Sequence, residues 1–121
     1  MVRLCGYTLS RLAWDIMNIH QALDRELDRA LAGRGYDVNK LKEVAYRLED
    51  LVNTIRFAYP ACPVLRLDDV NSWKSDLSRV LGGLREALEK GVEEDVIVAL
   101  LQATSETGGL LMRINNAFTM R

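Results

Sequence analysis

Glu93–Phe118, EEDVIVALLQATSETGGLLMRINNAF, holds more apolar surface than one helix face can hide. Val96, Leu100, Ala103, Leu110 and Ile114 mark one helical stripe, and Ile97, Leu101, Leu111 and Phe118 mark a second beside it. A helix apolar around most of its circumference is either central in its own fold or covered by another chain. The rest of the sequence reads as narrower amphipathic helices able to wrap it. The stretch therefore predicts an all-α protein whose last helix is either wrapped by the others or left with an apolar surplus that seeks a partner.

Working backward, three more helices can be placed. A seam of Leu9, Ala13, Ile16, His20, Leu23, Leu27 and Ala30 alternates spacings of four and three, which suits near-parallel helix packing. It predicts a helix over about 9–32, with Thr8 as N-cap and Gly33 and Gly35 as the stop. Leu41, Ala45, Leu48, Val52, Ile55 and Tyr59 define a second helix, about 38–59, capped by Asp37 or Asn39 and ended by Pro60. Val70, Trp73, Leu77, Val80, Leu84 and Ala87 define a third, about 69–90, opened by Asp68 or Asp69 and closed by Gly91. The fourth spans about 93–118, with Glu93, Glu94 and Asp95 at its positive end.

Short links between such helices specify antiparallel neighbours, so the expected architecture is a single-domain, up-down-up-down four-helix bundle over residues 1–121. Two mid-helix glycine pairs, Gly82-Gly83 and Gly108-Gly109, either meet at one helix crossing or are independent local breaks.

Composition sets the outer limits. With 121 residues, 49% hydrophobic and 27% charged, the chain can bury a core without metal or disulfide help. A net charge of −1 does not suggest nucleic-acid binding through bulk positive charge. No apolar run is long enough for a membrane span, and no secretory leader is legible, so the expected location is cytoplasmic, away from membranes. Twelve arginines against four lysines hint at a thermophilic or GC-rich source.

Catalytic chemistry lacks parts. The one histidine rules out a multi-histidine metal cluster, and no glycine-rich phosphate loop occurs. No catalytic residue, metal ligand set or cofactor site is expected, and the protein is read as non-enzymatic. His20 reads as a half-buried seam residue bonded to a neighbour such as Thr104 or Asn115. Cys5 and Cys62 are no metal motif, but an antiparallel pair of helices brings them to the same end. They are either free thiols or a disulfide, which inside a cell would fit a hyperthermophile.

Two features point outward. Tyr7 and Trp14 lie seven apart on helix one, off its seam, and Phe57 lies opposite the seam of helix two. Together they form a candidate partner interface. The ends of the bundle also differ in charge. One end (1–20, 53–79, 104–121) sums to +3 and the other (21–52, 80–103) to −4, an arrangement that permits head-to-tail stacking or contact of the basic end with phosphates.

The segments VAYRLEDLV (Val44–Val52), DLSRVLGG (Asp76–Gly83) and LLQATSETGGLLMRINNAF (Leu100–Phe118) resemble helices of the small helical subunit of type III CRISPR effector complexes. The likeness spans residues 44–118; the first forty residues do not share it, and the charge balance is not basic. It implies a non-catalytic subunit whose copies stack along a crRNA–target duplex, with Arg79, Arg85 and Arg113 as candidate nucleic-acid contacts. The combined expectation is a helical subunit of a larger assembly that self-associates or docks on a protein complex and contacts RNA or DNA backbone. The alternative is a helical protein–protein adaptor or viral structural protein without nucleic-acid contact.

Overall fold

The computed structural model describes the backbone of residues 2–62 and 67–119, and side chains within 5–55, at 62 and within 68–109. Four helices fill it: α1 (Val2–Leu31), α2 (Val38–Ala61), α3 (Leu67–Lys90) and α4 (Glu94–Thr119). Among the described residues each packs on its neighbours around a closed ring, α1 to α2, α2 to α3, α3 to α4, and α4 back to α1. Cross-helix contacts fix the directions. Cys5 near the start of α1 meets Cys62 just past the end of α2. Arg85 on α3 reaches back to Glu49 on α2. His20 meets Thr104, while one turn earlier Ile16 meets Gly108 one turn later on α4. Adjacent helices are thus antiparallel, in a four-helix bundle.

The ring makes the last helix one of four rather than their centre. α4 occupies one corner, against α1 and α3, and among the described residues gives Ile97, Leu100 and Ala103 to the core. The reason is side-chain size. Ala103, Thr104, Thr107 and Gly108 are buried on α4, and so small a face lets α1 approach without a wide apolar belt. A Cβ built on Gly108 would sit 3.1 Å from the Cγ2 of Ile16. Gly82, Gly83 and Gly109 meet nothing within 4 Å, so the two glycine pairs do not share a crossing.

α1 starts at Val2, well before the expected Leu9 and without Thr8 as its cap. A second heptad row, Cys5, Leu12, Ile19 and Glu26, runs beside the first, and all four residues are buried. That row carries the helix back through its first turns. α2 likewise runs through Pro60 to Ala61, two residues past the expected stop.

The turn between α1 and α2 is tightly specified. Gly33 has φ 81°, the left-handed conformation that ends a helix, and the amides of Gly33 and Arg34 donate to the Ala30 and Arg29 carbonyls, each at 3.0 Å. Asp37 caps α2, its Oδ1 accepting the amides of Asn39 at 3.0 Å and Lys40 at 3.3 Å. Buried Glu26 accepts the Asp37 amide at 2.7 Å through Oε1 and so ties the turn to α1. Burial of Tyr36, with the nearby carboxylates of Glu94 and Glu26, raises its phenol pKa above the ordinary value. None of the helices, among the described residues, is long and apolar enough to cross a membrane.

Candidate docking surface

The seam of α1 faces inward, so residues a third of a turn away must face out. Tyr7 and Trp14 are 66% and 63% exposed on that outer face. Across the α1–α2 interface stands Tyr46 of α2, 75% exposed, and Met17 of α1 is also exposed. Tyr46 was overlooked in the sequence, although it lies off the Leu41–Ala45–Leu48 seam, the same signal that singled out Phe57. The backbone of Phe57 belongs to α2, but its side chain lies outside the described residues.

Trp14 and Tyr46 flank a cavity of about 260 Å3 whose walls include Arg11, Asp15, Arg47 and Asp50. Arg11 pairs with Asp15 at 3.4 Å, and that carboxylate, followed by Tyr7, raises the guanidinium's pKa further. Arg47 is paired with Glu43 at 2.8 Å. These pairs are solvent-exposed and contribute little stability; what they do is hold their side chains in place around the aromatics.

The cavity continues along the interface. A second one, of about 380 Å3, shares Asn18, Ile19 and Arg47 with the first and runs on to Arg25, Arg29 and Lys40. The two form one groove with aromatic rings at one end and cations at the other.

The three arginines expected at nucleic acid are not gathered on one face. Arg85 pairs with Glu49 on the α2 side of α3. Arg79 is exposed on the α4 side, beside a recess of about 140 Å3 that Asp76, Gln102 and Glu106 also line. The side chain of Arg113 lies outside the described residues. Arg79 and Arg85 therefore sit on opposite flanks of α3.

His20 lies in the α1–α4 seam, its Nδ1 2.8 Å from the Thr104 hydroxyl. That hydroxyl is also within hydrogen-bond distance of the Leu100 carbonyl at 2.9 Å and the Leu101 carbonyl at 3.1 Å. Beside it, Met17, Gln21 and Ser105 share a cavity of about 280 Å3 with His20. Among the described residues no three potential metal-ligating side chains come together. Cys5 and Cys62 are bonded to each other, both buried, with Cα atoms 4.7 Å apart.

No protein-family model matches the chain, and neither the curated proteins nor the solved structures yield a match. The resemblance to the type III small subunit therefore rests on the three sequence segments alone.

Proposed function

We propose that the protein is a non-enzymatic helical subunit that works by docking in a larger assembly. The observation that carries this reading is the set of large aromatics left in solvent on the α1–α2 side of the bundle, Trp14 and Tyr46 flanking the groove and Tyr7 two turns before Trp14 on α1. Tyrosine, tryptophan and arginine are the residues that dominate binding energy at protein interfaces. A stable bundle gains nothing by leaving them wet. The cytoplasm is part of the reading: a buried Cys5–Cys62 bond persists there in hyperthermophiles, which the excess of arginine over lysine also suits.

Light scattering coupled to size-exclusion chromatography, at rising protein concentration and with candidate assembly components, tests the proposal. Expected is a larger complex that Tyr7→Ala with Trp14→Ala dissolves. A particle of one chain's mass in every mixture, unchanged by the double variant, would defeat it.

A second reading adds contact with a nucleic-acid backbone, as the type III resemblance implies. It is favoured by Arg79, exposed and in no ion pair among the described residues. Titration of a labelled single-stranded RNA by fluorescence anisotropy should then show affinity falling steeply with salt, with a shallower slope for Arg79→Glu. Salt-independent binding, or none, removes nucleic acid and leaves the protein–protein adaptor.

A further inference from the structure

The α1–α2 groove has a polarity that narrows the kind of partner it fits. From Arg11 to Arg29 it follows α1 for about 27 Å at the rise of an α-helix, enough for a partner helix of five turns. Ile19, Ala22 and Val44 lie between its walls, Ile19 and Val44 almost wholly buried, and the amides of Asn18 and Gln21 stand at mid-length. At one end Trp14 and Tyr46 are bare. At the other, Arg25, Arg29 and Lys40 line the cavity, and none of them forms an ion pair among the described residues. The lining cations elsewhere in the groove, Arg11 and Arg47, already have carboxylate partners.

The geometry points to an acidic amphipathic helix of a protein partner as the occupant. It lies antiparallel to α1 with its carboxylates over Arg25, Arg29 and Lys40 and an aromatic or long aliphatic anchor between Trp14 and Tyr46. The inference rests on the docking-subunit reading and names the partner for that same surface.

The direction follows from helix electrostatics. Carboxylates are most favourable in the first turns of a helix, so the partner's N-terminal turns belong at the cationic end. Trp14 lies 11 residues before Arg25 and 15 before Arg29, so the anchor follows the partner's carboxylates by about three to four turns.

A phosphate backbone fits less well. Asp15 and Asp50 stand at the aromatic end and Glu26 and Glu43 at the other, so a strand charged along its whole length would meet carboxylates throughout. A helix with its charge confined to one end meets the unpaired cations Arg25, Arg29 and Lys40 there, where Glu43 is held by Arg47 and Glu26 is buried, and keeps its uncharged turns over the carboxylates of the aromatic end.

The test is selection from a phage-displayed library of helical peptides of about 20 residues, panned on the full chain. Recovered clones should carry Asp or Glu in the first two turns and Trp, Phe or Leu three to four turns later. Their affinity should fall about tenfold or more with Arg25→Glu plus Arg29→Glu, and again with Trp14→Ala, as lost charge pairing and a lost anchor require. Lys74→Glu, on α3, should leave it within about twofold. All the substituted residues but Lys74 are exposed, and circular dichroism of each variant verifies that the bundle is intact.

The inference is overturned if no clone enriches, if the clones bind the groove variants as well as wild type, or if their acidic residues cluster at the C-terminal end. It is equally overturned if single-stranded RNA displaces the clones more effectively than free peptide does, or if the groove variants dissolve a homodimer that binds no peptide. If complexes still form and still depend on Tyr7 and Trp14 while the peptides fail, the docking reading survives and the helical partner does not.

Discussion

α1 packs against two neighbours in two different ways. Against α4 it is close: Gly108 leaves only 3.1 Å between a notional Cβ and Ile16, and His20 is hydrogen-bonded to Thr104 across the seam. Against α2 it is open: a groove follows the interface, tall aromatics flank it, and a single covalent clasp, Cys5–Cys62, closes the far end. Small side chains make the first seam and long charged or aromatic ones make the second. A helix pair that meets through glycine, alanine and threonine spends its surface on stability, whereas one flanked by exposed Arg, Tyr and Trp keeps surface for something else.

If that contrast holds, the clasp is the most sensitive point of the open side. The disulfide closes a loop of 57 residues in sequence separation, for which chain entropy predicts a contribution of about 4 kcal/mol. Cys5→Ser with Cys62→Ser, or reduction of the native protein, should lower the unfolding free energy read from guanidinium denaturation by that amount. A loss under about 1 kcal/mol would mean that the α1–α2 seam is held by packing after all and that the contrast is overstated.

The close side is next. Gly108→Val should cost about 1–3 kcal/mol, because branched methyls would be driven into Ile16 and the two helices must part. Gly109→Ala, one residue on and with nothing within 4 Å, should stabilise by roughly 0.5–1 kcal/mol through helix propensity alone. Opposite signs at adjacent glycines, read from thermal melts, would sharpen the comparison; equal ones would erase it.

How much of this was legible beforehand depends on which physical signal a residue carries. Seam positions such as Leu9, Ile16, Leu48, Leu77 and Leu100 are fully buried, because spacing alone decides which side of a helix faces the core. The cap at Asp37 and the stop at Gly33 were also readable, since each answers a local backbone need.

The apolar surplus expected of α4 is described only in part. Among the described residues of α4, Val98 is the one large apolar side chain left exposed, at 37%, while Ile97 and Leu100 are fully buried. The rest of the expected surplus, Leu110, Leu111, Ile114 and Phe118, lies outside the described side chains. Charge summed by bundle end hid the cationic stretch. Arg25, Arg29 and Lys40 belong to the end that totals −4, yet they collect on its α1–α2 edge while Glu89, Glu93, Glu94 and Asp95 lie on α3, α4 and the turn between them. Buried Glu26 was missed because only its place in the Cys5–Leu12–Ile19 row, and not its chemistry, marks it as internal.

Smaller effects separate the seams further. His20→Ala should cost about 1 kcal/mol, the worth of one net hydrogen bond, since Thr104 keeps its bond to the Leu100 carbonyl. Thr104→Val should cost more than this, because it leaves the part-buried His20 Nδ1 without its partner and removes the hydroxyl's bond to the Leu100 carbonyl as well. Equal losses for the two would show that the hydroxyl, and not the ring, carries the contact.

The smallest expected change is on the open side. Trp14→Ala with Tyr46→Ala should shift the unfolding free energy by no more than about 0.5 kcal/mol, because side chains 63% and 75% exposed hold little of the core together. A core tryptophan truncated in the same way would cost several kcal/mol, about 3–5 on the usual scale. Chemical denaturation of the double variant distinguishes the two directly. A loss above about 2 kcal/mol would mean that the rings shield Ile19 and Val44 from water, turning the groove into part of the fold. A near-zero loss leaves two large aromatics with no duty inside the bundle, and the reason for them must then be sought in another molecule.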